Sequence, residues 1–310
     1  MSVLRLVVLS LVAFAPLATA QAPAGEARSA PECSQTSTGL VPLTDLGKRR
    51  YRGQLGGLYG GGLNSPPPQY LKQGLGAVRR VRPINGRIVV LPVGISNATI
   101  EFRSLIRLAE QDPEVNPNVE LVDGAMGGWD ARKLTRPLAR YWSALDRRLA
   151  AAGATRREVQ VVWLKEAISG EDRRFPRDAK ALQSNLRSIV RILFRRYPNL
   201  RLIYTSSRTY GGYAITPLSP EPAAYDSGFA VRWLVQDRMA KKLRGPWIGW
   251  GPYLWTDGEK GRADGLTWTC ADVQANGTYP SASGANKVAR LLLRFFKTDP
   301  TAKTWFTAAP

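Results

Sequence analysis

Residues 88–97 read Ile-Val-Val-Leu-Pro-Val-Gly-Ile-Ser-Asn. The unbroken apolar run 88–93 has the length of a strand. The Gly-Ile-Ser-Asn turn after it leads into a helical pattern predicted over 99–110. The order strand, turn, helix recurs downstream. A strand is predicted at 119–122, ending in Asp123-Gly124-Ala125-Met126-Gly127-Gly128 and followed by a helix at 137–151. Further strands are expected at 159–164, 200–205 and 247–250, and helices at 178–197, 224–241 and 283–296. In the helix at 178–197, Leu182, Leu186, Ile189, Val190 and Leu193 form one stripe, with Arg187, Arg191 and Arg195 off it as a solvated row. The strands lack the apolar and polar alternation of a half-solvated sheet, so both sheet faces must be covered. The expected fold is a three-layer α/β/α sandwich with a mostly parallel, flavodoxin-like sheet. Sites in such sheets form at the carboxyl ends of the strands, here at Ser96, Gly127-Gly128, Lys165-Glu166 and Ser206-Ser207.

The rest of the chain bounds the chemistry. Of 310 residues, 44% are hydrophobic and 22% charged, which fits an ordinary globular core and excludes a disordered, collagenous or disulfide-scaffold protein. There is no histidine, so the commonest general base and transition-metal ligand are missing, and neither a metal site nor a cofactor is expected. The formal charge of +20 rests mainly on arginine. Such a charge attracts polyanions. The arginines are nevertheless scattered in ones and twos, as on solvated helix faces, with the densest groups at Lys48, Arg49, Arg50, Arg52 and at Arg79, Arg80, Arg82. A nucleic-acid partner is not expected. The composition leaves open an Arg-rich polyanion-binding protein.

Residues 1–20 carry Arg5, an apolar stretch at 6–14, a break at Pro16 and Ala18-Thr19-Ala20 as a cleavage site, the pattern of a secretory signal peptide. The stretch is short for a membrane span, and no later segment is long and apolar enough, so a secreted or periplasmic protein is expected. In that compartment an isolated pair of cysteines, Cys33 and Cys270, reads as a disulfide. Residues 21–83 are rich in Gly and Pro and are expected to be mostly loop and short strand, preceding a domain over 84–310.

Ser96 would stand where a helix begins, in reach of backbone N–H groups that stabilise negative charge, which suits a nucleophile and equally an ordinary N-cap. Trp247, Trp250, Tyr253, Trp255 and Trp268 are interleaved with glycines. Trp255 and Trp268 could stack on sugar faces, or all five rings could cover the core.

Near the C-terminus, Asn276-Gly277-Thr278-Tyr279-Pro280-Ser281, then Gly284 and Lys287-Val288-Ala289, opens the last helix. With the serine after the first strand, this order of blocks resembles the SGNH hydrolases, the GDSL-like esterases and lipases, over about 88–296. The resemblance implies a nucleophile at Ser96, an oxyanion glycine at Gly128, and an Asp and His where this chain has Asn276 and Tyr279. It also implies an oxyanion asparagine after the third strand, where the chain has Lys165-Glu166-Ala167-Ile168. A serine hydroxyl needs an adjacent base. A phenol, ordinarily protonated until about pH 10, is a poor one, and an amide cannot ionise. The standard triad is therefore absent from the sequence. The expectation is a non-catalytic or strongly impaired binder of a carbohydrate or acylated carbohydrate. The alternative is an active ester hydrolase using Ser96 with a non-histidine base, Lys165 foremost, or with Glu166, Asp123 or Asp272 in place of the missing partner.

Overall fold

The computed structural model describes residues 31–170 and 174–308, so the expected signal peptide lies outside the described residues. Five parallel strands, β1 (Ile88–Gly94), β2 (Val119–Leu121), β3 (Val159–Lys165), β4 (Leu202–Thr205) and β5 (Trp247–Trp250), form one sheet in the order β2-β1-β3-β4-β5. The register places Val90 beside Leu121, Val93 beside Leu164, Val161 beside Leu202 and Leu202 beside Trp247. β1 and β3 are buried along their whole length, which explains their lack of alternation. Pro92 sits in the central strand without breaking a ladder bond. The Val90 carbonyl faces β2 and accepts from Val122, so the Pro92 nitrogen two residues on faces the same side, beyond the end of β2 at Leu121.

Helices cover both faces. On one side lie α1 (Pro68–Val78), α2 (Ser96–Glu110) and α6 (Ala282–Thr298). There Tyr70 of α1 stacks on Trp247, and Tyr204 meets Phe295 and Phe296 of α6 with ring centroids 5.0 and 5.9 Å apart. On the other side lie α3 (Arg140–Ala151), α4 (Arg177–Arg196) and α5 (Ala223–Met239). The change of side follows from right-handed crossovers, because the chain steps one way from β1 to β2 and the other way thereafter. Arg187 leaves the expected solvated row of α4 to pair with Asp237 of α5 at 2.5 Å. The three-layer α/β/α architecture is thus the one expected from the sequence.

The N-terminal segment departs from expectation in one respect, since it contains the eleven-residue helix α1. Pro66-Pro67-Pro68 reads as a breaker, yet Pro68 is the first helical residue, where a missing N–H costs nothing. At Gly74 the helix passes under the Trp247 indole, and a Cβ there would lie 2.8 Å from the ring. The segment is joined to the domain by the Cys33–Cys270 disulfide, with Cα atoms 5.4 Å apart. It is also held by Asp257, which accepts from Ser37 Oγ, Thr38 N and Oγ1, and Gly39 N at 2.6–3.1 Å. Leu43, Leu58 and Tyr59 complete the core. No helix among the described residues is long and apolar enough to cross a membrane.

Candidate functional site

In the order β2-β1-β3-β4-β5 the connections reverse direction between β1 and β3, and ligands bind such sheets at the carboxyl ends of those two strands. β1 ends at Gly94. A Cβ at that position would lie 2.4 Å from the Lys165 carbonyl and 2.7 Å from Ala98 Cβ, so the glycine lets α2 start directly against β3. Ser96 is therefore the first residue of α2, three positions earlier than the periodicity indicates, and is half-buried. Its first-turn N–H groups have no partner within the helix.

Around Ser96 is a cavity of about 300 Å³. It brings together Ser96, Gly128, Asn276 and Tyr279, with Trp129, Thr216 and Leu218 as further walls. Gly127 lies beside the serine, since a Cβ on it would be 3.5 Å from Ser96 Cβ. Lys133 Nζ donates to the Gly128 carbonyl at 2.6 Å, while among the described residues the Gly128 N–H has no partner. Asn276 Oδ1 accepts from the N–H groups of Thr278 and Tyr279 at 3.0 and 2.9 Å, closing the turn that presents Tyr279. That turn is tied to α2 by Asn97, whose Nδ2 donates to the Thr278 carbonyl at 2.7 Å. Among the described residues nothing hydrogen-bonds Ser96 Oγ. The arrangement can hold a polar group between the serine and backbone N–H donors, with no base among the described residues in contact to activate the hydroxyl.

Other candidate residues stand elsewhere. Lys165 does not line the cavity. Its Nζ is bound by both carboxylate oxygens of Glu101 at 2.5 and 2.6 Å, with both side chains wholly buried. Burial pulls the Lys165 ammonium down to about 8, against the pull of Glu101 in the other direction. Glu166 is buried with Oε1 unpaired among the described residues, and desolvation raises its carboxyl well above the usual range. Arg208, also buried, lies near Glu101, Glu166 and Tyr279, with Nε and Nη1 unpaired among the described residues. Asp123 pairs with Arg103 and Asp272 with Lys287, so neither faces the serine as a free partner. Ser206 accepts from Trp163 Nε1 and Ser207 from Leu254 N, both inside the core.

Trp255 and Trp268 present no face to solvent. Both are buried, and their indole N–H groups donate to Glu221 Oε1 at 2.8 Å and to the Leu254 carbonyl at 2.7 Å. Of the two readings open in the sequence, their burial fits packing and not a sugar platform. The tryptophan that does line the cavity is Trp129, which follows the Gly127-Gly128 turn. Sequence reasoning also missed Asn97, Glu101 and Arg208. The buried polar positions in α2 were a legible signal for the first two. Arg208, one of many arginines, offered none.

No protein-family pattern matches the chain, and no curated protein matches it. Solved structures give remote likenesses. The periplasmic domain of a lipopolysaccharide acetyltransferase from Salmonella ser. Paratyphi A is 11% identical, with 74% of this chain and 97% of that one covered and a TM-score of 0.40. A Bacillus subtilis protein is 12% identical over 68% of this chain and 56% of its own, with a TM-score of 0.39. A salicylyl-acyltransferase from a tetracycline biosynthetic pathway is 14% identical over 69% and 56%, with a TM-score of 0.36. The chain thus spans little more than half the length of the last two. At these values the likenesses assign neither a family nor an activity.

Proposed function

We propose that the protein is a secreted SGNH-hydrolase-like protein that has kept the serine site and lost the acid–base pair, and that it binds a carbohydrate or acylated carbohydrate without turning it over by a triad. One observation carries this reading. Ser96, Gly128, Asn276 and Tyr279, distant in sequence, line one cavity of about 300 Å³, and they are the four positions to which the resemblance assigns a nucleophile, an oxyanion donor, an acid and a base. The last two cannot do the work of a carboxylate and an imidazole. Active hydrolysis through Lys165 is disfavoured by the Glu101 pair, which occupies the ammonium inside the protein and outside the cavity.

The test is intact-mass analysis after exposure to a serine-reactive fluorophosphonate, for the wild type and Ser96→Ala. The folded wild type is expected to stay unlabelled. Label that is present in the wild type and lost in Ser96→Ala means an activated serine and overturns the reading.

A further inference from the structure

A second cavity, of about 590 Å³, opens beside the first and shares Trp129, Asp130 and Lys133 with it. Both volumes fall in the range of pockets that enclose a drug-sized ligand. Its wall carries Arg132, Lys133, Arg136 and Arg140, with Trp129 and Leu138 as apolar surface. Among the described residues the only carboxylate in the lining is Asp130, and its charge is already spent on Arg132. It accepts from Arg132 at 2.8 Å and from the backbone N–H groups of Lys133 and Ser169 at 3.3 Å. No Asp or Glu occurs from 131 to 145. Arg136 and Arg140 are exposed and make no ion pair among the described residues. With Arg132 paired to Asp130, two arginines and a lysine, Arg136, Arg140 and Lys133, remain without a carboxylate partner among the described residues of a concave wall, a repulsion that a bound anion relieves.

We infer that this groove is a subsite for the anionic part of a carboxylate-bearing oligosaccharide whose adjoining unit lies in the Ser96 cavity. The inference rests on the proposed function only in taking the Ser96 cavity as the place of the adjoining unit. Guanidinium groups bind planar carboxylates through paired N–H donors, and Trp129 at the junction of the two cavities offers a flat apolar face to a sugar ring. The concavity favours a soluble glycan over a bilayer. Leu138, at 97% exposure, is the only large apolar side chain of this wall in the open, whereas a bilayer-docking face needs a row of them.

The test is titration calorimetry of the full disulfide-bonded protein with trigalacturonate, with cellotriose as the neutral control and phosphatidylglycerol vesicles as the membrane control. The wild type is expected to bind trigalacturonate with an affinity that falls as salt rises, and cellotriose at least tenfold more weakly. Arg136→Gln/Arg140→Gln, which alters two exposed side chains without partners among the described residues, is expected to weaken trigalacturonate at least tenfold and leave cellotriose unchanged. Equal affinity of the wild type and the double variant, no trigalacturonate binding at millimolar concentration, or binding of vesicles alone overturns the inference. The two readings fail separately. A fluorophosphonate-labelled Ser96 with charge-dependent binding intact removes only the non-catalytic reading, and an unlabelled serine without trigalacturonate binding removes only the subsite.

Discussion

Lys165 and Glu101 form a closed ion pair between the end of β3 and the second turn of α2, with the ammonium 2.5 and 2.6 Å from the two carboxylate oxygens and no exposure of either side chain. Breaking such a pair from one side strands a charge in the interior, at a cost of about 3–5 kcal/mol. Lys165→Met is therefore expected to lose about that much stability in urea unfolding, and Lys165→Met/Glu101→Leu to regain most of it. A double variant as unstable as the sum of both singles would contradict this account.

The pH dependence of stability has a distinct sign at Asp226. Burial pushes its carboxyl from 3.8 up to about 7, and Oδ1 has no hydrogen-bond partner among the described residues. The folded state holds a proton that the unfolded state has released between about pH 4 and 7. The resulting stability is fully present below the unfolded value and is lost as pH rises through the folded one. Unfolding free energies of the wild type and Asp226→Asn at pH 5 and pH 8 are expected to show a fall in the wild type larger by on the order of 2–4 kcal/mol. Glu221, pushed to about 7 by the same cause, adds a similar slope to both proteins.

Rebuilding the acid–base pair tests the reading of the Asn276 turn. Asn276 Oδ1 already serves the N–H groups of Thr278 and Tyr279, so an aspartate could keep those bonds with one oxygen and offer the other to an imidazole. Asn276→Asp/Tyr279→His is expected to hydrolyse p-nitrophenyl acetate at least tenfold faster than the wild type, dependent on Ser96, with neither single variant reaching that rate.

The Cys33–Cys270 bond closes a loop with a sequence separation of 237. Chain-entropy arithmetic gives about 5 kcal/mol for a loop of that size, and native disulfides typically contribute about 2–5 kcal/mol. Cys33→Ser/Cys270→Ser is expected to lose stability in that range in chemical unfolding. A reducing agent should destabilise the wild type and leave the variant unchanged.

The fold was legible because β1 and β3 are buried along their whole length, so hydrophobic continuity alone located the centre of the sheet. Helix starts were harder to place. Ser96 precedes the first apolar position of α2, because close packing permitted by Gly94, and not amphipathicity, decides where the helix begins. α1 was hidden behind a proline run and two glycines, one of which makes room for Trp247.

The site divided along similar lines. Ser96, Gly128, Asn276 and Tyr279 were found through the order of blocks and meet in one cavity. Lys165 stayed open as an alternative base because a lysine at a strand end looks the same in sequence whether it faces a cleft or a buried glutamate. The tryptophans were left open between two readings for a related reason. Composition cannot distinguish Trp255, enclosed by the core, from Trp129 in a cavity wall.

Buried Arg208 lies near Tyr279 on one hand and near Glu101 and Glu166 on the other, with Lys165 held by Glu101. Among the described residues the buried Arg208 guanidinium keeps Nε and Nη1 without hydrogen-bond partners, so a positive group with unspent donors is fixed inside the protein. Its field is set when the chain folds, so an anion entering the neighbouring cavity meets an attraction that no side chain has to move to create.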